Sequence, residues 1–343
     1  MPKPGPRLRL VDVAERAGVS LATASRALAG RDGVSEEVAN RVREISRELG
    51  YVANPYARTL AGGASSTVGL VVHQVDDPYF SEIAGGVIEI AGEQGLLVQI
   101  CHSGRDPNHE LAQIRHLIAQ RVGIIIVAGS GYRDNRAESD VKAELSAFQR
   151  QGGRVAVIGR HAMGVDAVLP DNEAGGLALG NHLLDLGHRR IAVAAGTEAL
   201  TTVADRLAGV AAAMRGHGLS MADLTVVHGD FTREGGRVAA EQIMREHPAT
   251  TAIIALNDAM AMGVLSTLRE LRIPVPEKVS VVGFDDVSVA ADLAPSLTTV
   301  RLPMTDMGRM ALEMALKPQP ARPRRRSTGH QLIVRDSTGR PRA

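Results

Sequence analysis

The run SLATASR, residues 20–26, gathers side chains suited to contact with nucleic acid: the hydroxyls of Ser20, Thr23 and Ser25 and the guanidinium of Arg26. It follows a short helical pattern with Val11, Val13, Ala14 and Ala17 at helical spacing and Gly18 as a breaker. Ser20 offers a hydroxyl to cap a second helix, with Thr23 as a helper one turn on. That helix carries Leu21, Ala22, Ser25 and Arg26 near its start, while Ala24 and Leu28 can face inward. Two helices around a glycine-containing turn make a helix-turn-helix, which can lay its second helix in the DNA major groove. The same pattern also allows a plain helical hairpin within a larger core. Enzyme motifs are poor by comparison. Gly129-Ser130-Gly131 is followed by Asp134 where a dinucleotide fingerprint needs Gly or Ala, and no phosphate-binding Gly-Lys-Ser/Thr or Gly-x-Ser-x-Gly elbow occurs. The histidines show no HExxH and the one cysteine, Cys101, has no partner. We therefore expect no metal site, no cofactor and no enzymatic activity.

The chain of 343 residues leaves room for two or three domains. Its 44% hydrophobic and 22% charged content is that of an ordinary globular protein, with net charge +1. Residues 1–63 hold ten Lys/Arg and seven Asp/Glu, a modest basic bias of +3. The lone cysteine suits a reducing compartment. MPKPGPRLRL has no apolar signal core, and no run has the length of a membrane span. A cytoplasmic protein without membrane contact is the expectation.

Ser35 starts a third helix whose apolar stripe is Val38, Val42, Ile45 and Leu49, and Gly50 ends it. Asn54-Pro55 can open a further helix, stopped after about two turns by Gly62 and Gly63 and too short to hold alone in water. From Thr67 the pattern changes. Residues 67–73, 96–101, 123–128 and 154–158 read as buried parallel strands, and 191–195, 224–227, 252–256 and 280–282 as a second set. Helical stretches 173–188, 203–217, 232–247 and 258–272 lie among the latter. The fold class is thus an N-terminal all-α helix-turn-helix domain plus an α/β core of two doubly wound parallel-sheet subdomains, with ligands at strand C-termini. The Pro/Arg run 318–326 reads as a solvated loop before a last strand at 331–335.

Together these stretches resemble the lac-repressor/galactose-repressor family of bacterial transcription regulators. The resemblance rests on VDVAERAGVSLATASRALAG, VSEEVANRVREISRELGYVANPYARTLAGG, VGLVV with DPYFSEIAGGVIEIA, GHRRIAV, ADRLAGV, ALNDAMAMG, PEKVSVVGFDD and LTTVRLP, in that order. It implies a repressor that binds pseudo-palindromic double-stranded operator DNA as a homodimer in the cytoplasm, associated with the nucleoid. By this likeness Leu21, Ala22 and Arg26 face base edges, Thr23 and Ser25 lie near the phosphates, and Ser20 belongs to the same DNA-binding set. A guanidinium can bond a guanine edge bidentately, so Arg26 is the leading specificity candidate. Asn54, Ala57 and Leu60 match a hinge helix in the minor groove, with Leu60 as the wedge between base steps.

The likeness also implies a core similar to periplasmic sugar-binding proteins, with a small polar effector, a sugar or sugar derivative, between its subdomains. The matching effector positions are Tyr79, Phe80, Arg160, Arg206, Phe231, Asn257 and Asp285, with His73 and Asp77 at the mouth of the first strand. Phe231, Tyr79 and Phe80 could stack on a ring, Arg206 and Asp285 could hold hydroxyls, and Asn257 both donates and accepts. Arg206 could instead pair with Asp205 or Glu198 at the surface, and Asp258 reads as a helix cap. Leu200 stands where purine-sensing relatives carry arginine, which argues against a purine. The expected domains are residues 1–50, a hinge at 51–64, and a core at 65–343. Within the core, subdomain 1 spans about 65–163 and 292–328, and subdomain 2 about 164–291 and 329–343. Dimer contacts are expected near the helix carrying Ile83, Val87 and Ile90.

Overall fold

The computed structural model describes residues 8–28, 30, 32–51, 65–134, 136 and 138–342. The hinge candidates Asn54, Ala57 and Leu60 lie outside these residues. Two compact units divide the chain at Ser66/Thr67.

The first unit contains α1 (Leu10–Ala17), α2 (Leu21–Leu28) and α3 (Glu36–Leu49). Gly18 closes α1 at φ 63°, its N–H donating to the carbonyl of Glu15 at 3.1 Å, and Val19 N–H returns to Ala14 at 3.0 Å. Ser20 Oγ accepts from Thr23 N–H at 3.1 Å and sits 2.8 Å from Thr23 Oγ1, so both hydroxyls serve the start of α2. Ser35 caps α3 and Gly50 ends it at φ 67°. Val13, Ala14, Ala17, Ala24, Ala27, Ala39 and Val42 form the core, with Tyr51 packed at its margin. Small residues let the short helices approach closely.

The second unit alternates strands and helices. Its first part runs β1 (Thr67–Val72), α4 (Pro78–Glu93), β2 (Leu97–His102), α5 (Pro107–Ala119), β3 (Ile124–Ala128), α6 (Ser139–Arg150), β4 (Arg154–Ile158) and β5 (Asp166–Leu169). The second runs α7 (Asn172–Asp185), β6 (Ile191–Ala195), α8 (Thr201–Gly216), β7 (Thr225–His228), α9 (Arg233–Glu246), β8 (Ala252–Ala255), α10 (Asp258–Glu270) and β9 (Ser280–Val282). The chain ends with β10 (Thr299–Arg301), α11 (Met304–Leu316), β11 (Arg325–Ser327) and β12 (Gln331–Ile333). Two parallel sheets result, ordered β11-β5-β4-β3-β1-β2 and β7-β6-β8-β9, while β10 and β12 pair antiparallel.

Three expectations change. The first sheet extends past residue 163, because Ala156–Ile158 of β4 pairs with Asp166–Val168 of β5. The return near 292 comes later: Leu297 packs in the second core, Thr298 bridges Val282, and the chain rejoins the first sheet from α11 onward. The Pro/Arg run does not end as loop, since Arg325 and Arg326 pair with Ala167 and Val168 at the sheet edge. Arg324 anchors this edge by three hydrogen bonds to Asp166, from its backbone N–H, Nε and Nη2. His330, between β11 and β12, meets Asp171, which follows β5, at 2.6 Å.

Ile83 and Val87 are fully buried within the chain. Their helix lies so close to α11 that a Cβ on Gly86 would strike the Thr305 carbonyl, and one on Gly308 the Ile83 carbonyl. These two side chains therefore cannot supply a surface for another subunit. The strand at 96–101 also differs from its expected burial: β2 is an edge strand with Leu97 and Ile100 exposed.

Candidate DNA-reading helix and ligand cleft

On α2, burial follows the helical period. Ala24 and Ala27 are buried, Leu21, Ala22 and Arg26 are exposed, and Thr23 and Ser25 are half-buried. Leu21 is 52% exposed, so it does not serve the packing of its own unit. The helix carries no acidic residue in its first turn. Among the described residues Arg26 has no ion pair or hydrogen bond, and its Nη1 stands 3.6 Å from where a Cβ on Gly33 would lie. An exposed leucine and an uncommitted guanidinium side by side form a surface able to meet a methyl group and a hydrogen-bonding base edge.

The second site is a cleft at the C-terminal ends of strands from both sheets. Of the sequence candidates, His73, Asp77, Tyr79, Phe80, Arg206, Phe231, Asn257 and Asp285 all line it. Asp77 caps α4 by accepting from Tyr79 N–H at 3.1 Å, which brings Tyr79 and Phe80 to the cleft as an edge-to-face pair 4.9 Å apart. Phe231 precedes α9, Asn257 precedes α10, and Asp285 follows β9.

Arg206 is the centre of this arrangement. It is 2% exposed and lies on α8. Its Nε donates to Asn172 at 2.9 Å, Nη1 to the Leu256 carbonyl, and Nη2 to Asp285 at 2.8 Å. The guanidinium carbon stands 3.7 Å from the centre of the Phe284 ring. Neither Asp205 nor Glu198 is its partner. Burial pushes the Asp285 carboxyl up to about 7 against the pull of Arg206. Burial likewise raises the Tyr79 hydroxyl and the Asp77 carboxyl. Asp285 holds φ 114°, a conformation costly for a non-glycine residue.

Two expectations fail here. Arg160 does not reach the cleft; it is half exposed and forks onto Asp205 at 3.0 and 2.5 Å. Asp258 does not cap α10, because Asn257 does so, accepting from Met260 N–H at 2.8 Å. Asp258 is instead buried beneath the site, accepting from Thr299 Oγ1 and Val287 N–H at 2.7 and 2.9 Å. With its oxygen engaged, Asn257 donates from Nδ2 to the Phe231 carbonyl at 3.5 Å and keeps its second amide hydrogen for the cleft.

Sequence reasoning missed Arg105, which lines the cleft from the turn between β2 and α5. Its backbone is left-handed at φ 61° after Gly104 at φ 64°. Its guanidinium lies 5.6 Å from the Phe231 ring centre and a loose 3.8 Å from Asp77. The available signal was its place just beyond a parallel strand's C-terminal end.

Residues 9–54 match the family of bacterial regulatory proteins described as lacI, and residues 181–338 match a periplasmic binding protein-like domain. The HTH-type transcriptional repressor CytR of Escherichia coli K12 is 32% identical over 95% of this chain and 95% of its own. The chain belongs to the lacI family. Among solved structures, a lac repressor dimer bound to operator and the anti-inducer ONPF is 25% identical, with a TM-score of 0.84 over 97% of this chain and 100% of that one. A complex of the transcriptional regulator CelR with cellobiose is 28% identical, with a TM-score of 0.69 over 96% and 100%. This lacI-family chain therefore shares the helix-turn-helix unit and the two-sheet core, and its two candidate sites lie one in each.

Proposed function

We propose that this lacI-family protein is a transcriptional repressor whose operator affinity is set by a small polar effector, a sugar or sugar derivative, in the cleft. The observation that carries this reading is the buried Arg206–Asp285 pair, 2.8 Å apart, beside Asn257 and the Phe231 ring. Convergent polar groups with an aromatic face suit a hydroxyl-rich ring. The similar CelR structure contains cellobiose.

In this reading Leu21, Ala22 and Arg26 contact base edges and Ser20, Thr23 and Ser25 the neighbouring phosphates. Asn54, Ala57 and Leu60 enter the minor groove. His73, Asp77, Tyr79, Phe80, Phe231 and Asn257 surround the effector together with Arg206 and Asp285. Arg105 joins them, and Arg160 serves the closure of the cleft by pairing with Asp205. Two protomers read a pseudo-palindrome, one recognition helix per half-site. Edge strand β2, with Leu97 62% and Ile100 40% exposed, and Ile88 of α4, 50% exposed, supply apolar surface for that dimer. No helix among the described residues is long and apolar enough to cross a membrane, and action at the operator places the protein in the cytoplasm with the nucleoid. No catalytic step is assigned to it.

A melting-temperature screen with cellobiose, D-ribose and other sugars tests the reading. A sugar that stabilises the protein and changes its affinity for a selected DNA duplex supports it. Strong turnover of a sugar without any change in DNA affinity would overturn it.

A further inference from the structure

Behind the cleft lie two buried histidine–glutamate pairs that the effector reading leaves unexplained, and they are unequal. His161 Nδ1 sits 2.9 Å from Glu138 Oε1 and its Nε2 3.1 Å from the Gly129 carbonyl. Glu138 also accepts from Tyr132 N–H at 3.1 Å and Ala162 N–H at 2.7 Å. Every polar atom of that pair is engaged. The other pair is His73, at the end of β1, and Glu110 of α5, which are 1% and 0% exposed. His73 Nε2 stands 3.7 Å from Glu110 Oε2, too far for a hydrogen bond. Among the described residues, neither Glu110 oxygen, nor His73 Nε2, nor the buried Tyr132 hydroxyl has a hydrogen-bond partner. The imidazole is held in place: it packs on Gly129, where any Cβ would meet it at 2.8 Å, and lies 5.9 Å from the Phe80 ring centre.

Buried polar atoms without partners are uncommon, and at a binding site they mark a contact that something else completes. His73 turns Nε2 inward to Glu110 while its ring lines the cleft, which leaves Nδ1, beside the cleft-lining Gly129, as the nitrogen not turned to Glu110. We propose that Glu110 is a positioning residue: across 3.7 Å the charge of its carboxylate favours a proton on Nε2 of His73, so that Nδ1 presents a lone pair to a hydroxyl donor on the effector. The inference rests on the reading of the cleft as the effector site and adds to it the requirement for a donor hydroxyl at this wall. A neutral imidazole is needed for this role. Burial lowers the basicity of His73, as do Arg105 and His161, against the opposing pull of Glu110. The other ionisable groups facing this corner are Glu138 and Tyr132, and Glu138 is occupied by His161. Ring-nitrogen tautomers are commonly set by the group bonded to the opposite nitrogen.

The test is nitrogen-detected NMR of the full-length protein labelled with ¹⁵N-histidine, without ligand at pH 7.5, with His73 assigned by the signal lost in His73→Gln. The expected spectrum has a protonated Nε2 and an unprotonated Nδ1 for His73. Glu110→Gln, whose amide oxygen leaves a partial negative charge facing Nε2, keeps that pattern, whereas Glu110→Leu gives a mixture of tautomers. A protonated Nδ1 in the wild type, or an unchanged Nε2–H in a folded Glu110→Leu, would overturn the proposal. If Glu110→Leu fails to fold, the wild-type and Glu110→Gln spectra decide. Failure of every sugar in the melting screen would refute the effector reading and leave these spectra unaffected, so the two ideas fail separately.

Discussion

The α2 surface and the cleft present their chemistry in opposite ways. On α2 the side chains that face outward are uncommitted: Leu21 is exposed, and Arg26 has no partner among the described residues. In the cleft, Arg206 is buried and engaged at all three guanidinium nitrogens, and Asn257 both caps a helix and lines the site. A surface that reads DNA must leave its donors free for the partner and costs the fold little. A cleft that binds a small molecule needs its polar groups fixed beforehand, so the same residues hold the fold together. Substitutions in the two regions should therefore separate into those that alter binding alone and those that alter stability too.

Arg206→Ala should show the largest effect. It strands the buried Asp285 carboxylate, the Asn172 side chain and the Leu256 carbonyl, at a cost of about 3–5 kcal/mol in stability. Denaturant melts should reveal this loss together with loss of the effector response. An unchanged midpoint would mean that the cleft is no more committed than α2. Arg26→Ala should weaken binding to the preferred duplex by about 1–3 kcal/mol while leaving the melting temperature alone. Equal weakening on random DNA, measured by fluorescence anisotropy, would count against base reading.

A pH effect comes next. Because Asp285 is raised from 3.8 to about 7, the folded state holds its proton more tightly than the unfolded chain across that window. Its contribution to stability is full below about pH 4 and declines as pH rises toward 7. Asp285→Asn, whose side-chain oxygen can still accept from Arg206, should remove that part of the decline when midpoints at pH 5 and pH 7.5 are compared with wild type. Identical slopes would show that Asp285 does not titrate there. Arg160→Ala should have the smallest effect, about 0–1 kcal/mol, since the guanidinium is half exposed and screened. A large loss of effector affinity in that variant would return Arg160 to the cleft.

What was legible in the sequence follows from how strong each local signal is. Strands 154–158 and 191–195 fall where their apolar runs predict them, being buried along nearly their whole length. Strands β5, β10 and β11 have four, three and three residues, too few for any period to register, and they are held by pairing with distant segments. That is why both subdomain boundaries were displaced. The family likeness marked Tyr79, Phe80, Arg206, Phe231, Asn257 and Asp285, and the mouth of the first strand marked His73 and Asp77, yet Arg160 and Arg105 carried no signal to tell them apart. Which arginine turns inward depends on the left-handed turn at Gly104–Arg105 and on Asp205 waiting outside, both properties of the assembled fold. The capping of α10 was likewise ambiguous between two adjacent residues able to do it.

The central claim is that the cleft and the DNA-reading helix are coupled. It is tested most directly by measuring affinity for a duplex selected from a random pool, with and without the sugar that most stabilises the protein. The account predicts a change of about 5–150-fold, the range of typical coupling energies, with the same factor in sugar affinity when the duplex is present. That change should be absent in Phe231→Ala. A duplex affinity indifferent to a sugar that binds the cleft would contradict it.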